Sequence, residues 1–285
     1  MLVTLDMFSG RPNPTWNLSE AEQRQVLDRV RGRTLAQVEV PDSRLGYRGI
    51  VIDPSEDSIA EIPQGFRIES FSGAGLTTKG QLSPDEEKEI AQFLLEAARA
   101  AVPDDVRQLV TEERQRLSLA PLPGDPPLPD PPDPIPPATC QLVPTAFSPN
   151  VWNTYPNVYW NNCYNYAASR QTNTFAQPGR AAGQMYTALT CADVGAAASR
   201  DKCKATCNGP SKKVALVIWP NVDFHFYRKH SEGFWAHKPG GTPARNTDNL
   251  NRVINGTTLT PANCARGPYS VFCGYRYAPK DIVVS

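Results

Sequence analysis

Three side chains in this 285-residue sequence have the types and spacing for thiol catalysis: Cys163 in WNNCYNYA, His225 in DFHFYR and His237 in FWAHK. A cysteine acts as a nucleophile when its thiol is ionised or when a base stands ready to take the proton. Asn161 or Asn162 is a suitable N-cap, which sets Cys163 in the first turn of a helix. His225 and His237 fall on consecutive strand candidates joined by a tight turn, so they are expected as cross-strand neighbours on one face. One imidazole can then take the proton while the other fixes its tautomer. His230 lies an odd number of residues from His225 and so points to the other face of a strand. Beside Ser231, Glu232 and Gly233 it reads as a solvent-facing turn residue. Tyr159, Trp160 and Tyr164 offer flat surfaces for a substrate-binding cleft next to the thiol.

All seven cysteines lie beyond residue 139, a distribution that suits an oxidising compartment. Seven is odd, so one thiol is left over, and Cys163 has the setting of a nucleophile. The other six, Cys140, Cys191, Cys203, Cys207, Cys264 and Cys273, are the disulfide candidates, expected in three bridges. The pairings expected are Cys264 with Cys273, and Cys203 or Cys207 with Cys191 or Cys140. Cys163, His225 and His237 would also suit a zinc ion, but the Cys203/Cys207 spacing lacks a second ligand pair. No metal and no other cofactor is expected.

The elements that must position these residues read as an α+β fold. In residues 138–285, CADVGAAASR is a short helix of small residues. KVALVIWP, DFHFYR, GFWAHK and YSVFCGYRYA are strands separated by turn signals. Residues 120–137 carry the run PLPGDPPLPDPPDPIPP, which lacks the backbone donors for helix or sheet and reads as an extended spacer. Residues 1–119 read as a small α/β domain. Its strands are LVTLDMF, RGIVID and GFRIESF, and its helices start at two capping boxes, Ser19 with Glu22 and Ser83 with Glu86. In the second helix Ile90, Phe93, Leu94, Ala97, Ala98 and Ala101 form a core-facing stripe. This half has no cysteine or histidine and is expected to dock, target or mask, while its loop SGRPNP reads equally as a binding loop and as turn chemistry.

The net charge of zero hides a split. Residues 1–119 hold 14 Lys/Arg against 20 Asp/Glu, and residues 138–285 hold 15 against 6. The halves are electrostatic complements, which suggests a contact between them within the chain. The basic residues are scattered and form no run, so an anionic polymer is the expected partner and nucleic acid is not. No segment has the length and hydropathy of a membrane span or a Sec signal peptide. A cysteine-rich half then means export or delivery outside the producing cytoplasm by another route, or otherwise a cytoplasmic protein rich in thiols.

With NNCYNYA, DFHFYR and FWAHKPGG in that order, residues 150–240 resemble the NlpC-type cell-wall cysteine peptidases, a branch of the papain-like fold. The eleven residues between His225 and His237 fit that family's strand-turn-strand interval. The resemblance implies a papain-like second half in which Cys163 attacks, His225 is general base and acid, and His237 orients it. It also implies that the backbone N–H of Cys163 helps form an oxyanion hole. The family's Asp-Cys-Ser-Gly is replaced here by Asn162, Cys163, Tyr164 and Asn165. The function expected is a thiol hydrolase cleaving an amide, with a bacterial cell-wall peptide as substrate. Delivery as an effector or toxin, with delivery machinery or an immunity protein as partner, would account for the missing leader. The alternatives are acyl transfer or protein deamidation by the same three residues, or a non-catalytic, disulfide-stapled module binding glycan or peptide.

Overall fold

The computed structural model of the chain describes residues 1–35, 43–58, 62, 64–69, 81–98, 101–118 and 140–285. The proline-rich segment 120–137 lies outside the described residues. The chain divides into two compact units. Met1–Met7, Asn13–Asp42 and Tyr47–Leu122 form the first, and Phe8–Pro12, Ser43–Gly46 and Pro123–Ser285 form the second.

In the first unit, β1 (Leu2–Asp6), β2 (Thr15–Asn17), β3 (Gly49–Asp53) and β4 (Phe66–Ile68) form a sheet in the order β2-β1-β3-β4. Every pairing is antiparallel. The helices that accompany it among the described residues are α1 (Glu20–Val30), α2 (Pro84–Ala97) and α3 (Asp104–Ser118). Ser19 and Ser83 close the two capping boxes as their sequences require. The α/β reading of this half is therefore corrected to α+β, because a parallel sheet needs a long crossover between neighbouring strands and β1 turns directly back along β2. Neither α3 nor β2 is legible in the sequence. The helix carries too few apolar residues for a clear stripe, and the strand is three residues long.

Alternation in β1 and β3 buries Val3, Leu5, Ile50 and Ile52, with Val26, Ile90 and Leu94 also in the core. At the end of β1 the carboxylate of Asp6 is buried against Arg48, 2.6 Å away, and Arg67, 2.9 Å away. Burial alone would raise the Asp6 pKa, but the two guanidinium groups outweigh it and hold the carboxyl below its ordinary value. Replacing Asp6 by Asn leaves two buried cations uncompensated and should cost about 3–5 kcal/mol. The contribution is complete above the unfolded carboxyl pKa of about 4 and is lost as pH falls through the depressed native value. Hydrogen exchange of the β1 and β3 amides across pH, in wild type and Asp6→Asn, measures both.

In the second unit a sheet is built on β6 (Pro210–Trp219), with β7 (Asp223–Lys229) and β9 (Val271–Pro279) antiparallel to it. The short β8 (Trp235–His237) pairs with β7, and β5 (Gln141–Leu142) runs parallel to the start of β6. Among the described residues the unit is completed by the helices α4 (Pro149–Asn153), α5 (Asn157–Trp160), α6 (Cys163–Ala168) and α7 (Cys191–Arg200). One face of the sheet presents Val214, Leu216 and Ile218 of β6 with Phe224 and Phe226 of β7. Ala167 and Ala168 of α6 and Val194 and Ala198 of α7 pack with them. Small residues on α6 and α7 allow that close approach.

Two disulfides are present, Cys140–Cys207 and Cys191–Cys273, and Cys163, Cys203 and Cys264 are free and buried. The expectation of three bridges and one free thiol is thus corrected, as is the pairing of Cys264 with Cys273. Cys273 lies on β9, against which α7 packs, and the first residue of α7, Cys191, comes within 5.2 Å of it between Cα atoms. Cys264 instead points its sulfur at the hydroxyl of Tyr227, 3.9 Å away. Cys203 belongs to the core cluster, and burial pushes its thiol up to about 11.

Candidate active site

Helix α6 begins where the asparagines allow it to. Asn162 is its N-cap: Oδ1 accepts from the amides of Tyr164 and Asn165 at 3.0 and 3.1 Å, and Asn165 Oδ1 accepts from the Asn162 amide at 3.1 Å. Cys163 is therefore the first helical residue. All six residues of α6 are buried.

β8 pairs with β7 only over Tyr227, Arg228 and Lys229, which leaves the beginning of β7 without a strand on that side. The thiol of Cys163 lies along this edge. Its sulfur is 3.9 Å from the carbonyl of Phe224 and accepts from the amide of Phe226, the two residues that flank His225. Phe224 and Phe226 turn toward the helix face, and His225 turns to the other face beside Tyr227, His237 and Tyr269. A hydroxyl bridges the two: Ser9 Oγ is hydrogen-bonded to His225 Nδ1 and also reaches the Cys163 thiol.

The tautomers follow from the partners. A carbonyl can only accept, so His237 Nε2, 2.9 Å from the Thr247 carbonyl, carries a proton. Burial, partly opposed by that carbonyl, pushes His237 down to about 3, so the ring is neutral and its Nδ1 is an acceptor. His225 Nε2, 2.9 Å from it, must donate. His225 Nδ1 then keeps its lone pair and accepts the Ser9 proton. Both histidines are buried, at 0 and 1% exposure. The chain of bonds runs Ser9, His225, His237, Thr247. It sets a base whose Nδ1 accepts from Ser9, the hydroxyl that also reaches the thiol.

Cys163 is fully buried. Burial, reinforced by the Asp223 carboxylate, pushes its thiol up to about 12, whereas Phe226, Ser9 and Lys238 act in the other direction. The buried Lys238 ammonium donates to the carbonyls of Val158, Asn161 and Gly240 within 2.7 Å. In this state the thiol holds its proton and any attack needs His225 as base.

Tyr164 is corrected as well. It is buried in the core, and its hydroxyl donates to Asp201 at 2.9 Å, so it is not a substrate-facing surface. Tyr159 and Trp160, on α5, are about half exposed. His230 is not a solvent-facing turn residue. It is 1% exposed, donates from Nδ1 to the Thr145 carbonyl and accepts at Nε2 from the Tyr166 hydroxyl, each at a distance under 3 Å. Burial and the nearby Arg228 push it down to about 4. An unfolded histidine titrates at about 6.5, so the stability that this neutral ring supplies falls as pH drops from there toward 4. Chemical denaturation of the wild type should show that loss, and His230→Gln should have a shallower slope in the same window.

Ser9, Asp223, Gln177 and Lys238 are the site residues that sequence reasoning missed. The loop containing Ser9 reads in sequence equally as a binding loop and as turn chemistry, and residues Phe8–Pro12 are part of the second unit. The amides of Ser9, Gly10 and Arg11 donate to the Asp223 carboxylate at 2.6, 3.1 and 3.0 Å, and Tyr269 adds its hydroxyl at 2.6 Å. The carbonyl of Gly10 accepts from Asn162 Nδ2 at 2.8 Å and Gln177 Nε2 at 2.7 Å. Two convergent side-chain amides thus polarise a carbonyl here. Among the described residues no group of three or more His, Cys, Asp or Glu side chains is placed to hold a metal ion.

Fold and site together define an α+β chain whose disulfide-bearing unit encloses a Cys-Ser-His-His cluster. No family model and no solved structure matches it. The chain belongs to the same family as the insoluble matrix shell protein 1 of Ruditapes philippinarum. It is 46% identical to that protein over 134 residues, which cover 46% of this chain and 88% of the relative. No helix among the described residues is long and apolar enough to cross a membrane.

Proposed function

We propose that the second unit is a papain-like thiol acyl hydrolase or transferase, similar in its catalytic grammar to the NlpC-type peptidases, acting on an amide outside the cell. One observation carries the reading: His237 fixes His225 in the tautomer whose Nδ1 accepts from Ser9, and the same hydroxyl reaches the Cys163 thiol at the edge of β7. In the reaction the thiol proton passes to His225 Nδ1 as sulfur bonds to the acyl carbon. The C–N bond breaks and the amine leaves with that proton. Water, deprotonated by the same nitrogen, then releases the acid and restores the thiol, and an amine in place of water gives transfer.

Two disulfides and a relative named for an insoluble shell matrix support an extracellular destination, where such bonds persist. The same name favours a protein amide of an extracellular matrix over a cell-wall stem peptide as substrate. It also favours a second reading, a non-catalytic, disulfide-stapled matrix component. The discriminating experiment incubates the chain with a panel of acyl-peptide amides, quenches in acid and maps covalent acyl adducts by mass. An acyl group on Cys163 together with released amine supports the enzyme. A panel that yields neither, in the wild type and in the loop variants described next, leaves the matrix component.

A further inference from the structure

We infer that the segment Phe8–Pro12 sits in the acyl-binding site of this unit as a built-in peptide ligand, with Gly10 in the acyl position. The site's ligand class is accordingly a peptide with glycine at the acyl position. The inference rests on the reading of Cys163 and His225 as a reactive pair and names what that pair binds.

Each part of the segment meets a group that a peptide substrate would need. The Gly10 carbonyl lies between the side-chain amides of Asn162 and Gln177, both at least 96% buried. Gln177 is oriented for this role by the Tyr186 hydroxyl, which donates to its Oε1 at 2.8 Å. The peptide amides on either side of that carbonyl are fixed by Asp223. Arg11 is tied at its guanidinium to the Val222 carbonyl at 2.6 Å. The Ser9 hydroxyl takes the one lone pair that His225 has to offer, so the base is occupied and the thiol keeps its proton.

Glycine is demanded at the centre by space. A Cβ at Gly10 would stand 2.6 Å from the ring and from the carbonyl of Phe224, inside any tolerated contact. Phe224 is itself fully buried and cannot withdraw. The same wall would reject any peptide with a side chain at that position.

The test is the rate at which iodoacetamide labels Cys163 in the full, unreduced chain, read by peptide mapping. The buried thiols Cys203 and Cys264 serve as internal reports of folding. In wild type all three are expected to be protected. Gly10→Leu cannot seat the segment and should speed labelling of Cys163 alone by about 100-fold. Added acetyl-Phe-Ser-Gly-Arg-Pro-amide should restore protection of that variant, and the same peptide with alanine for glycine should not.

Wild-type Cys163 that already labels as fast as in Gly10→Leu overturns the inference, and so does failure of the glycine peptide to protect. If Cys203 and Cys264 also label in Gly10→Leu, that variant has unfolded and Ser9→Ala decides. It should raise Cys163 labelling about tenfold with the other two still protected, and no rise overturns the inference. A peptide that protects an exposed Cys163 while no amide is turned over separates the two ideas, since binding then stands and the enzyme falls. Amide turnover by wild type at the rate of Gly10→Leu has the opposite meaning.

Discussion

Replacing His225 by alanine is expected to lower kcat/KM for amide turnover by about 10³ to 10⁴-fold, measured in a background where Ser9→Ala has freed the base. The size follows from the state of the thiol. At a pKa of about 12 almost none of Cys163 is ionised near neutrality, so the acyl step depends on a base that removes the proton as the bond forms. His225 is placed for that by the bond from its Nε2 to His237. Replacing His237 by alanine removes the acceptor and lets the other tautomer form, which directs an N–H at the thiol. A loss of about 100-fold or more is expected, because a wrong tautomer in a catalytic triad is costly. His237→Gln offers a carbonyl oxygen to the same proton and should recover part of that loss. His230→Gln should leave turnover unchanged, since His230 is bonded to Tyr166 and Thr145 and not to this relay. Equal rates for Ser9→Ala and the Ser9→Ala, His225→Ala double variant would end the thiol mechanism.

Replacing both Cys191 and Cys273 by serine should destabilise the second unit by about 4 kcal/mol, the chain-entropy value for a closed loop of this length. The bridge joins residues 82 apart and pins the start of α7 to β9. For a unit of this size that corresponds to a fall in melting temperature of roughly 10–15 °C. Scanning calorimetry of the double variant against wild type checks it, and a change of under 2 °C would show that packing of α7 holds the junction without the bond. Removing the Cys140–Cys207 bridge, with a separation of 67, should cost nearly as much on the same grounds.

Much of the second unit is legible in its residue order. The continuous apolar run of KVALVIWP and the alternation in DFHFYR mark β6 and β7, the small residues of CADVGAAASR mark α7, and the asparagines before Cys163 mark the start of α6. These signals are local: a period of two or 3.6, a cap, a turn. The cross-strand meeting of His225 and His237 follows from them, because two strands joined by a short turn have their register nearly set. Of the disulfides, Cys140–Cys207 was among the pairings expected, and Cys191–Cys273 was not legible in the same way. Cys191 and Cys273 are equivalent to other pairs until α7 is laid against β9, and nothing in the spacing of seven cysteines contains that docking. His230 was misread for a related reason, since turn residues around it advertise solvent while Phe147 and Tyr166, distant in sequence, close over its ring.

The residues around the thiol divide along the same line. Cys163 at a helix start and two histidines on a hairpin are properties of contiguous stretches, so the sequence alone determined which groups could act and in which roles. Only the tertiary structure decided what state they are in. The thiol's burial and the tautomers of both rings depend on partners 10 to 61 positions away, and the arrival of Ser9 and Gly10 at His225 and Gln177 on contacts between residues more than a hundred positions apart. Desolvation and hydrogen-bond partnership are set by such neighbours, and they fix where a proton resides.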